Sequence, residues 1–94
     1  MVRQRVVLGS IGDGGRAQQA AQRLRDEGQE VVFVGGGQTP EQLVRTLIAE
    51  DATTIIVDGD ADALARITDL CHDLGAGDIA VTPLGVPPGA PRSP

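Results

Sequence analysis

Apolar residues follow two alternating rhythms along this chain, short runs and helix-spaced stripes. Arg5 to Leu8 is an apolar run that predicts a first strand. From Gly15 to Glu27 the positions Ala17, Ala20, Ala21 and Leu24 recur at helical spacing, and Gly28 supplies a stop. Glu30 to Val34 predicts a second strand, closed by Gly35, Gly36 and Gly37. Thr39-Pro40-Glu41-Gln42 marks a helix start: Thr39 caps, Pro40 takes the first helical position and Gln42 completes a capping box. That helix runs to about Glu50, and its pattern predicts burial of Leu43, Val44, Leu47 and Ile48. Thr53 to Val57 is apolar on both faces, as a central parallel strand is. Asp62 to Leu74 predicts a third helix, with Leu64, Ile67, Leu70, Cys71 and Leu74 on one stripe, and Ile79 to Thr82 a fourth strand.

This βαβαβαβ order predicts an α/β fold of the flavodoxin-like (Rossmann-like) type. It is a three-layer sandwich with a parallel sheet of about four strands in the order 2-1-3-4. A full fold of that type has a fifth strand and a fifth helix, so the fold is expected to be truncated. The first and fifth helices share one face of the sheet. Losing the fifth is expected to leave apolar surface over strands three and four, where another protein subunit or a second copy (a homodimer) would pack. The domain is placed at residues 1–83. Residues 84–94, rich in proline, are expected to form a flexible tail.

Ninety-four residues make one domain with a thin stability margin. Phe33 is the one aromatic residue, so the core is built from Val, Ile, Leu and Ala and offers no stacking platform for bases. The net charge is −5 and every basic residue is arginine, which argues against nucleic acid and membrane as partners. A single cysteine and no long apolar run point to a cytoplasmic location.

Three stretches carry a family resemblance: Arg5 to Leu8 leading into Gly12-Asp13-Gly14, Leu24 to Val34, and Gln38-Thr-Pro-Glu-Gln42. Over about residues 3–82 the chain resembles the cobalamin (B12)-binding domain of methylmalonyl-CoA mutase and its small-subunit relatives. That family carries Asp-x-His-x-x-Gly after its first strand; the His ligates cobalt from below and the Asp orients it. Here Asp13 matches the Asp, Gly15 stands at the His position and Gln18 at the Gly position, in a loop about three residues shorter. The family's Ser-x-Leu after strand three is replaced by Asp58-Gly-Asp-Ala-Asp62, which puts carboxylates beside the place of a phosphate-bearing tail. Pro83-Leu84 stands in place of its Gly-Gly, with Gly85 next in line.

Other patterns are weighed against plainer readings. Gly12-x-Gly14-x-x-Ala17 has the spacing of a dinucleotide fingerprint, but no acidic residue closes strand two; a loop into the first helix is the simpler account. Asp58, Asp60 and Asp62 share the spacing of calcium-loop ligands, yet helix capping explains them better, and no metal is expected. Adjacent Cys71 and His72 point about 100° apart on a helix, so Cys71 is expected to be a packing thiol.

No catalytic set is visible, and the chain is not expected to be an enzyme on its own. The leading expectation is a cobalamin-domain scaffold without His ligation, acting as a binding module or accessory subunit of a larger mutase-like or biosynthetic enzyme. One alternative is a cobalamin-carrying small subunit of an acyl-CoA mutase-type isomerase, binding without a His ligand. Another is a small-ligand enzyme using Asp13 as acid or base. No cofactor is expected, and cobalamin is the one that the resemblance admits. Any ligand would sit at the sheet's carboxyl edge, against Asp13, Gly14, Gly15, Gly35, Gly36, Gly37, Asp58 and Gly85.

Overall fold

The computed structural model describes residues 5–84. Its elements are β1 (Arg5–Ser10), α1 (Gly15–Asp26), β2 (Glu30–Gly35), α2 (Pro40–Ala49), β3 (Thr54–Asp58), α3 (Ala61–Asp73) and β4 (Ala80–Pro83). All strand pairs are parallel and the sheet order is β2-β1-β3-β4, the predicted order. Gly85 and residues 85–94, the bulk of the expected tail, lie outside the described residues.

Strand periodicity divides the core between two faces. Val7, Ile55 and Val57 point to the α2 and α3 side, where Leu43, Val44, Leu47, Ile67 and Cys71 close over them. Leu8 points the other way and meets Ala17 and Ala21 of α1, with Phe33 and Ile56 packed alongside. Leu8, Leu43, Leu47, Ile55 and Ile67 are all fully buried. Burying a side chain of this size stabilises by about 1.5–3 kcal/mol, so these five carry much of the fold.

The capping box forms as predicted: the Gln42 N–H donates to Thr39 Oγ1 at 3.1 Å, and the Thr39 N–H donates to Gln42 Oε1 at 2.9 Å. Two apolar expectations fail. Ile48 and Leu74 are 51% and 60% exposed. Leu43, Val44 and Leu47 already fill the contact between α2 and the sheet, so Ile48, one position on, lies at the helix margin. Leu74 is the C-cap of α3, where the chain is leaving the core.

Beside α1, the face over β3 and β4 carries no helix among the described residues. Its register places Thr54, Ile56, Ala80 and Thr82 there. That face is open, and its large apolar residues are Ile56 and, just past β4, Leu84, which lines a hollow with Arg16, Ala20 and Arg23 of α1. The large exposed hydrophobics, Ile48 and Leu74, lie on the opposite side of the molecule.

Candidate functional site

The carboxyl ends of the four parallel strands place Ser10, Gly35, Asp58 and Pro83 at one edge. The loops that leave this edge bring Asp13, Gly14, Gly15, Gly35, Gly36, Gly37 and Asp58 together. β1 runs two residues further than its apolar run predicts, because Gly9 and Ser10 still pair with β3.

Two of these loops are fastened to each other. The Gly37 N–H donates to the Gly12 carbonyl at 2.8 Å, and the Gln38 N–H to the Ser10 carbonyl at 3.0 Å. The Gln38 side chain turns back and donates to the Val34 carbonyl at 3.1 Å. Gln38-Thr-Pro-Glu-Gln42 therefore does two jobs: Gln38 latches the loop to β1 and β2, and the next four residues start α2. At the crossing the backbones touch. A Cβ on Gly36 would lie 2.6 Å from both the Gly12 oxygen and the Gly14 nitrogen. Gly12, Gly35 and Gly37 instead face open space, where an added Cβ would meet nothing within 4 Å. Gly35 and Gly37 need glycine for another reason, with φ of 85° and 66°.

Ser10 was not singled out by its sequence context. It is 1% exposed, and its hydroxyl donates to the Asp13 carbonyl at 2.9 Å while lying 3.3 Å from that of Asp58. It joins the first loop to the end of β3. Ile11 packs over Gly59, where a Cβ would come within 2.9 Å of Ile11 Cγ1. The sequence signal for both is weak: a serine and an isoleucine in a glycine-rich loop.

The charges are sparse and specific. Asp13 is exposed. Asp58 lies 3.8 Å from the Arg16 guanidinium, a loose ion pair in which Arg16 is largely in solvent. Asp60 caps α3, accepting the Ala63 N–H at 2.9 Å, and no metal-binding cluster of three or more ligand residues occurs among the described residues. By contrast, the N-cap of α1 is Gly14, with no side-chain cap and no acidic residue in the first turn, so Asp13 does not cap it.

The donor set does not fit a cobalt ion ligated from below by a protein imidazole. Gly15 has no side chain to offer. A Cβ placed there would find Asp13 Oδ2 at 3.5 Å, so the acidic partner is retained while its imidazole is gone. His72, the single histidine, sits near the end of α3 beside Gly77, at the opposite edge of the sheet. Its neighbour Cys71 is buried, and desolvation pushes the thiol pKa up.

No helix among the described residues is long and apolar enough to cross a membrane. No family model matches the chain. A 1.5 Å crystal structure of a novel cobalamin-binding protein from Desulfitobacterium hafniense DCB-2 shares the fold, with a TM-score of 0.69 and 17% sequence identity. The match covers 90% of this chain and 46% of the other, so this chain spans about half of that protein's length. The 2-hydroxyisobutanoyl-CoA mutase small subunit of Aquincola tertiaricarbonis is 34% identical over 91 residues, 89% of this chain and 67% of the relative. With the parallel 2-1-3-4 sheet, the latched Gln38-to-Gln42 segment and the retained Asp13, the chain belongs to the B12-binding-domain family of the acyl-CoA mutase small subunits.

Proposed function

We propose that this chain is a cobalamin-domain scaffold that has lost histidine ligation and serves as a cytoplasmic accessory subunit of a larger mutase-type or biosynthetic enzyme. The observation that carries this reading is Gly15 beside Asp13, with the one imidazole of the chain at the far edge of the sheet. Asp58 and Asp60 support it, since the family resemblance would bring a phosphate-bearing tail beside these carboxylates. A larger subunit would supply the chemistry and pack on the open face of β3 and β4, around Ile56.

Titration with hydroxocobalamin and adenosylcobalamin, followed by visible absorbance and calorimetry, tests the reading. The expected result is no shift to a protein-ligated spectrum and no saturable heat. Tight binding with the cofactor's own base displaced would overturn it.

The 34% identity to a mutase small subunit favours a second reading, cobalamin carriage without a histidine. The corrin would then rest on Asp13 to Gly15 and Gly35 to Gly37. Its signature in the same titration is saturable binding with the cofactor's own base still on cobalt.

A further inference from the structure

The strongest unexplained surface lies away from the sheet's carboxyl edge, between α2 and α3. A hollow of about 410 Å³ there is lined by Val44, Ile48, Ala49, Leu70 and Leu74, with Arg45 on its wall. A second hollow, about 360 Å³, continues it past the helix ends and is lined in part by Ala76, Ile79, Asp51 and Asp78. Ile48 and Leu74 line both, so the two form one groove with the exposed large hydrophobics at its centre.

The groove has electrical polarity. Toward the start of α2, Glu41 is neutralised by Arg66 at 3.3 Å, and Arg45 has no ion-pair partner among the described residues. At the other end Asp51 and Asp78 have none either. Asp51 follows the C-cap of α2 with φ of 52°, and α2 carries no basic residue in its last turn. A carboxylate at a helix C-terminus meets the negative end of the dipole. Arg5 donates to the Glu50 carbonyl at this helix end at 2.8 Å, but the Asp51 carboxylate itself has no ion-pair partner among the described residues and is open to a cation from outside.

We infer that this groove is the interface between two copies of this chain, related by a twofold axis through Ile48 and Leu74. Arg45 and Asp51 lie three residues to either side of Ile48. A twofold axis at Ile48 therefore reverses the groove and sets Arg45 of each copy against Asp51 and Asp78 of the other. The apolar centres meet, and each unpaired charge gains its opposite. An isologous contact of this kind closes on itself and leaves no free end. It leaves the open face of β3 and β4 free for a different protein and does not depend on cobalamin.

Sedimentation equilibrium on the full chain tests this. The wild type is expected to dimerise, more weakly as salt rises. Ile48→Asp, at an exposed position, is expected to raise the dimer dissociation constant by about a hundredfold with unchanged far-UV circular dichroism. Arg45→Glu is expected to weaken the dimer about tenfold, and Arg45→Glu combined with Asp78→Arg to restore it. A monomer at every concentration overturns the proposal. So does a dimer indifferent to Ile48→Asp, which would place the contact on another surface, or one that the charge exchange fails to rescue.

Discussion

Gly14 and Gly36, on loops that follow different strands, meet backbone to backbone: a Cβ on Gly14 would stand 2.8 Å from the Gly36 nitrogen. Neither residue has room for a side chain, and the neighbour in each case is main chain that has no rotamer to change. Gly36→Ala is expected to destabilise the fold by about 1–3 kcal/mol through forced separation of the two loops. Gly12→Ala, in open space, is the control and is expected to stay within about 0.5 kcal/mol. Thermal melts followed by far-UV circular dichroism distinguish them. Equal midpoints would mean that the loops part at no cost.

Ser10 carries a second prediction. Its buried hydroxyl serves the Asp13 carbonyl and lies close to that of Asp58. Ser10→Ala leaves the Asp13 carbonyl short of a donor and is expected to cost about 1–2 kcal/mol. A lowered urea midpoint with an unchanged slope is the expected signature. An unchanged midpoint would show that water replaces the hydroxyl.

Cys71 is expected to make stability fall at alkaline pH. The chain has no lysine and no tyrosine, so between about pH 8.5 and 11 Cys71 is the side chain that titrates. Burial raises its folded pKa above the ordinary thiol value of 9.0. The folded state then holds the proton more tightly than the unfolded state. Its contribution is complete below about pH 9 and is lost as pH rises through the folded value, at up to about 1.4 kcal/mol per pH unit. Cys71→Val is expected to flatten that slope in denaturant midpoints measured across the range. A wild-type midpoint independent of pH there would contradict the burial argument.

Gly15 invites a gain-of-function test. A side chain there meets Asp13 Oδ2 at ordinary contact distance and nothing else, so Gly15→His is expected to fold. Cobinamide, which lacks a lower base of its own, is the suitable probe. The variant is expected to shift its visible spectrum and the wild type to leave it unmoved. A folded variant that also leaves it unmoved would show that the shortened loop decides the matter, and not the missing imidazole.

Most of the architecture was legible because it is written locally. Apolar rhythm marks each strand and helix, and the capping box at Thr39 to Gln42 formed residue for residue. The parallel order follows from connection handedness. What escaped was set by contacts between distant residues. Gly14 and Gly36 show only as glycines, and no local pattern says that their backbones touch. Ile48 shares the helical stripe of Leu43, Val44 and Leu47, but the sheet has room for three of the four. The loss of a ligating histidine and the survival of Asp13 could be seen only against the family motif; that the Asp13 carboxylate lies against the empty position needed the fold.

Phe33 packs in the cluster formed by Leu8, Ala17 and Ala21, and it is the chain's single benzene ring, while the His72 imidazole lies on α3 beside Gly77. An upfield ring-current shift of a methyl in this cluster therefore reports on Phe33. In a nuclear magnetic resonance spectrum, the Leu8, Ala17 and Ala21 methyls become a built-in gauge of whether α1 is seated on the sheet. The gauge needs no label, and it will follow α1 separately from the helices on the opposite face.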